Sequence, residues 1–324
     1  MKQIRFVFLF CFTVMIFLAA CNRGAGDQGG KNDGKLHGKI TISGAFALYP
    51  MAVRWAEEFQ KIHPHVKINI SAGGAGKGMA DALSGMVDLG MFSKAVSPEE
   101  QAKGAWWIAV AKDAVLPTIN AKNPDLALIR THGMTKQELY DIFITGKYKL
   151  WGTPLKNGSK EEICVFTRSD ACGAADMWAK FLKGKKQEDL LGIGVNGDPG
   201  LADALRKSPG GIGFNNLNFV YDVATGKKYA GLEVIPLDMN ENGKIDPEEN
   251  FYDNLHGVTQ AIQDGRYPSP PARELYFVSK GKPANPIVLE FLRWVLNDGQ
   301  KYVQEAGYVV LPADHLTTER AKLN

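Results

Sequence analysis

Cysteine is scarce in this chain, with four in 324 residues, and two of them, Cys11 and Cys21, fall near the N-terminus. That leaves Cys164 and Cys172, too few for a disulfide scaffold, though free to pair in an oxidising compartment if their geometry allows. Charge of one sign is lacking too. Lys and Arg number 38 against 35 Asp and Glu, a formal net charge of +3, with no arginine-rich stripe, which argues against a nucleic-acid partner. The histidines His37, His63, His65, His132, His256 and His315 form no recognisable base motif. No internal repeat of roughly 20–50 residues, the span of repeat architectures, is visible. What remains, with hydrophobic content of 45% and charged content of 23%, is an ordinary globular composition.

The N-terminus stands apart. Lys2 and Arg5 precede an apolar run over residues 6–18, followed by Leu18-Ala19-Ala20-Cys21. Charge, length and small-residue cleavage site mark residues 1–20 as a secretion signal, too short and wrongly flanked for a membrane span. The Leu-Ala-Ala-Cys ending resembles the bacterial lipobox, which implies that Cys21 is lipidated and becomes the first mature residue; the alternative is an ordinary cleaved signal. Residues 21–35, rich in Gly, Asp, Lys and Asn, read as a flexible tether.

From Leu36 short β-type runs alternate with helical segments, the pattern of an α/β fold. Two junctions carry the most information. Ile40-Thr41-Ile42 runs into Ser43-Gly44-Ala45-Phe46-Ala47-Leu48-Tyr49-Pro50 and then a helix. Val66-Lys67-Ile68-Asn69-Ile70 runs into Ser71-Ala72-Gly73-Gly74-Ala75-Gly76-Lys77-Gly78 and a second helix. Each leaves unpaired N–H groups at a positive helix end, and glycine lets a ligand sit against that backbone. Side by side, two such mouths would cradle a small anion. A nucleotide P-loop is excluded, because Gly78 and not Ser or Thr follows Lys77. The first helix should bury Ala52, Trp55, Phe59 and Ile62 and stop at Pro64. Two buried strands are expected within residues 106–120, and Thr135 to Glu138 reads as a capping box. A strand over 163–167, a helix over 174–182, a strand over 273–278 and helices over 286–296 and 300–306 follow.

Taken in order, these segments resemble the substrate-binding proteins of bacterial phosphate ABC importers. The matching pieces include the two glycine junctions, Val87-Asp88-Leu89-Gly90, Arg168-Ser169-Asp170 before Gly173, and Gly211-Ile212-Gly213. The resemblance implies a two-lobed type II periplasmic-binding-protein fold with two hinge crossovers, one lobe from residues 36–118 plus 269–324 and the other from 119–268. It further implies a monomer that binds phosphate between the lobes, and a membrane permease as partner. The site it implies comprises Gly44, Ala45, Phe46, Ala75, Gly76, Lys77, Ser93, Lys94, Arg168, Cys172, Gly173 and Ala174. This chain departs from the pattern there. Ala45, Phe46 and Ala47 replace hydroxyl residues, and Ser93-Lys94 stands where the family carries Ser-Asp. Arg168 keeps its place as the oxyanion clamp. With Lys77 and Lys94 facing it, the site would hold three cations and no obvious acceptor; the alternative is that both lysines point to solvent. Such a site would favour a fully ionised anion, and sensing is an alternative to import.

A second constellation spans residues 238–249. Asp238, Asn240, Asn242, Asp246 and Glu249 occupy the first, third, fifth, ninth and twelfth places of an EF-hand template, with Gly243 sixth and Lys244 offering its carbonyl. A structural Ca2+ site is expected, on a strand–loop–helix variant with the helix over residues 251–262. Two features bear on other functional classes. Cys172 at a helix N-terminus could be a nucleophile, but no histidine lies near it in sequence, so no enzyme is expected. A calcium-stabilised structural lipoprotein would not need opposed glycine-rich helix mouths.

Overall fold

A computed structural model describes residues 36–324; the expected signal, tether and lipidated Cys21 lie outside the described residues. Nine strands form one continuous sheet: β1 (Gly38–Gly44), β2 (Val66–Ala72), β3 (Leu89–Phe92), β4 (Ala105–Asn120), β5 (Cys164–Arg168), β6 (Ile193–Val195), β7 (Gly211–Asn216), β8 (Leu232–Val234) and β9 (Ala272–Lys280). Their order is β2-β1-β3-β9-β4-β7-β5-β6, with β8 also on β4. The helices are α1 (Tyr49–Ile62), α2 (Ala75–Ser84), α3 (Pro98–Ala102), α4 (Leu126–His132), α5 (Lys136–Phe143), α6 (Gly152–Leu155), α7 (Gly173–Phe181), α8 (Gly197–Lys207), α9 (Leu255–Gln263), α10 (Pro286–Leu296), α11 (Lys301–Glu305) and α12 (Ala313–Ala321).

Local chemistry explains many of the ends. Pro50 lies in the first turn of α1, where its missing N–H costs nothing. Thr135 Oγ1 accepts from the Glu138 amide at 3.1 Å while Glu138 Oε2 accepts from the Thr135 amide at 2.8 Å, the reciprocal capping box that starts α5. Ile62 departs from expectation. It is 57% exposed, because the buried stripe of α1 (Met51, Ala52, Trp55, Ala56, Phe59) has turned away by its last residue. The helix expected from residue 251 begins only at Leu255, where the Asn254 side chain accepts from the Gly257 amide.

Two large hydrophobic cores succeed each other along the sheet, with a smaller third cluster of Phe166, Leu201, Ala202, Leu205 and Leu232. Trp55, Phe59, Phe277 and Phe291 belong to the first, and Phe143, Trp151, Trp178 and Phe214 to the second. The change-over falls between Ala111 and Ala114 on β4 and between Ala272 and Leu275 on β9. Residues 106–120 therefore form one strand serving both lobes rather than two. Its first part pairs with β9 around a bulge between Ala109 and Ala111, and its second part pairs with β7 and β8. Even Pro117 is accommodated, since its carbonyl accepts from Ile235 N at 3.0 Å and no strand hydrogen bond requires its nitrogen.

Where the two strands cross, Asp113 faces Arg273 in register, with 3.4 Å between carboxylate and Nη2. Burial pushes the Asp113 carboxyl from its ordinary 3.8 up to about 6, against the pull of Arg273 and with the Asp198 charge adding to the rise. A folded-state value above the unfolded one means the native protein holds the proton more tightly. The stabilisation is present below about pH 4 and is lost as pH rises through about 6, a fall of roughly 3 kcal/mol for a two-unit shift. Urea midpoints from pH 4 to 7 should show this slope, and Asp113→Asn should flatten it. An equally steep slope in the variant would assign the titration elsewhere.

Candidate functional site

The two glycine junctions come together at the ends of β1 and β2. Gly44 O accepts from the amides of Gly73 and Gly74 at 2.9 and 3.1 Å, and the Ala45 amide donates to Met91 O at 2.9 Å. These bonds use up part of what the sequence offered to a ligand. What stays available are first-turn amides of α2, at Ala75 and Lys77, which helix geometry leaves without intrahelical partners.

Opposite them stands α7. Its start meets the first lobe directly, for Gly76 N donates to Ala171 O at 3.0 Å. A Cβ at Gly76 would meet the Ala171 methyl at 2.9 Å, and any side chain at Gly173 would collide with Ser93. Glycine is required at both positions because the lobes touch there. Cys172 caps α7 through Sγ, which accepts from Ala175 N at 3.4 Å. Its thiol is pushed up to about 12 by burial, despite the opposing pull of Arg168. It is a capping group and not a nucleophile, and Cys164 and Cys172 both remain unpaired.

The structure thus gathers Phe46, Gly76, Ser93, Arg168, Gly173 and the first turns of α2 and α7. It corrects the expected charge. Arg168, 4% exposed, gives Nε and Nη2 to Asp170 at 2.8 and 2.7 Å and Nη1 to Asp198 at 2.6 Å. One guanidinium faces two carboxylates. Burial would raise the Asp170 carboxyl, but the bonds and charge of Arg168 and the Gly197 amide outweigh it and hold it below its ordinary range. Lys77 folds back to an ion pair with Asp81, one turn along α2, and Asp81 also accepts from Ser43 Oγ at 2.7 Å. Three free cations without an acceptor are therefore not what the fold presents. Of these three cations Lys94, half-buried, is the one without an ion pair among the described residues.

Several participants carry no mark in the sequence. Asp198, fully buried at the start of α8, accepts from the amide and side chain of Asn216 at 3.0 and 2.8 Å. Asn216 in turn accepts from Arg273. A polar chain thus runs from the hinge pair to the clamp, while Arg273 Nε and Nη1 stay buried without partners. The turn Asn196-Gly197-Asp198-Pro199 opening a helix was the available signal. Cavities of about 250, 430 and 320 Å³ open elsewhere on the lobe seam, along residues 304–312 and Pro50 to Arg54, and none of the three is lined by the cradle.

In the 238–249 loop, Asp238 is 1% exposed and accepts from the amides of Asn242 and Gly243 at 3.2 and 2.8 Å. Glu249 accepts from the amides of Met239, Asn240 and Asp246. Asp246 accepts from both asparagine amides and from Lys244, and the Lys244 hydrogen bond is the chief reason its carboxyl lies at about 2. Among the described residues no three His, Cys, Asp or Glu side chains stand close enough to cage a metal by themselves. The donors are all oxygens if the asparagine amides turn, a set that suits a hard cation.

A family model described as a PBP superfamily domain matches residues 26–299, well over half of the chain. Among curated proteins, the phosphate-binding protein PstS of Staphylococcus saprophyticus is 24% identical over 95% of this chain and 90% of its own length. PstS of Methanocaldococcus jannaschii is 27% identical over 93% and 89%. A Clostridium perfringens structure, described as a phosphate ABC transporter substrate-binding protein with bound phosphate, superposes with a TM-score of 0.69 at 21% identity. It covers 85% of this chain and 100% of its own. The continuous sheet, the double crossing of β4 and β9 and the match over 26–299 agree, and the chain belongs to the periplasmic-binding-protein (PBP) superfamily.

Proposed function

We propose that this chain is an extracytoplasmic solute-binding protein that captures phosphate or a related tetrahedral oxyanion between its lobes for an ABC importer permease. On this reading it is a monomer held at the membrane by a lipid on Cys21. The observation that carries the reading is the meeting of α2 and α7, from opposite lobes, with first-turn amides at Ala75, Lys77, Gly173 and Ala174. Relatives named for phosphate binding support the choice of anion. Isothermal titration with inorganic phosphate should saturate at one equivalent, and bound anion should raise Tm by mass action. Sulfate, arsenate and molybdate belong in the same panel. No saturable heat with any of them would sink the proposal.

We also propose that residues 238–249 bind Ca2+ as a structural ion, through Asp238, Asn240, Asn242, the Lys244 carbonyl, Asp246 and Glu249. The ion would lock the loop against α4, where Ile245 N already donates to Thr131 O at 2.8 Å.

A further inference from the structure

We propose that Phe46 sets the substrate class: the cleft takes an oxyanion carrying a compact apolar substituent, an organophosphonate or small phosphate ester, in preference to inorganic phosphate. This rests on the anion-binding reading above. Phe46 reaches from the first lobe to Phe219 of the second, ring centroids 6.4 Å apart and nearly edge-on at 78°. Both rings are half-buried. The same Phe46 ring lies 5.6 Å from the Arg168 guanidinium carbon, and a Cβ on Gly197 would meet its tip at 2.9 Å. The ring thus borders the place beside the clamp where the two lobes meet.

Three properties follow for a ligand in that place. Its charge meets an Arg168–Asp170–Asp198 cluster with one carboxylate more than it has cations, so a bare multiply charged ion gains little there. The loop before α1 offers no hydroxyl, since Ala45, Phe46 and Ala47 supply only amides. Beside the clamp stand two aromatic rings, one from each lobe, and apolar contact is what they can reward. An anionic head on the helix amides with a small apolar group against Phe46 and Phe219 satisfies all three.

The test is isothermal titration of the full mature chain with inorganic phosphate and with phenylphosphonate. Phenylphosphonate is expected to bind at least tenfold more tightly, and Phe46→Ala to abolish that ratio, with Phe46→Leu retaining part of it. Melting temperatures of both variants check that they fold. One-equivalent phosphate binding with no preference for phenylphosphonate overturns this inference and leaves the anion-binding reading standing. So does a Phe46→Ala variant that weakens both ligands equally, which would make the ring a lid only. Binding of neither compound overturns both readings.

Discussion

Arg168→Ala is expected to lower the unfolding free energy by about 3–5 kcal/mol, the range for breaking a buried ion pair from one side. The reason is what it leaves behind. Asp198 has no exposed surface and cannot recover its hydration in the folded state, while the Asp170 side chain, 8% exposed and bonded to the Gly197 amide, can recover only part of its own. Asn216 would still donate two hydrogen bonds to Asp198, which solvates that charge in part. Adding Asp198→Asn to the alanine variant should therefore recover stability, because the surplus charge goes and the shape remains. Urea unfolding of wild type, single and double variants reads this directly as a double-mutant comparison. A single-variant loss below about 1 kcal/mol would mean the carboxylates are hydrated and the cluster is not buried as described. Anion affinity is expected to fall as well, by about 2–5 kcal/mol if the guanidinium touches ligand. Measuring affinity at a urea-free temperature well below the variant's Tm keeps the two effects apart.

What could be read from residues alone was local. Thr135 with Glu138 announces a helix start within four residues, and the reciprocal cap forms; a second such cap, Ser97 with Glu100, starts α3. The glycine junctions announce two helix mouths; the structure joins their loops and sets Phe46 of the first beside Arg168, while the mouth facing α2 is that of α7. Pairing at long range was not legible. The Asp198 partner of Arg168 lies 30 residues on, and the Asn196-Gly197-Asp198-Pro199 turn marks a helix start without saying which cation its carboxylate meets. Lys112 and Asp113 interrupt the apolar run of β4, so the sequence pattern there is that of two strands. Only the non-local pairing with β9 makes them a crossing point. The ion pair of Lys77 was the opposite case, since Asp81 stands four residues ahead on the same helix and the spacing was there to be read.

Calcium offers the second large effect. Asp238 and Glu249 are nearly buried yet bond mainly to loop amides, while Asp246 collects the side chains of Asn240, Asn242 and Lys244. A divalent ion drawing these carboxylates together would displace the Lys244 ammonium, whose side chain is mostly exposed and loses little on release. With Kd on the order of 10⁻⁴ M, the tighter end for extracellular modules, about 10 mM calcium lies a hundredfold above Kd. It then adds about 2.7 kcal/mol, which for a chain of this size raises Tm by roughly 4 °C. EGTA should reverse the rise, and magnesium should not reproduce it, because it requires a tighter octahedron and keeps its waters. Glu249→Gln retains an oxygen to accept the loop amides but removes the bidentate charge, so it should fold with near-normal Tm in EGTA and lose most of the calcium response. Equal melting in calcium and EGTA would make residues 238–249 a self-bonded acidic turn, closed by Lys244 and the two asparagines.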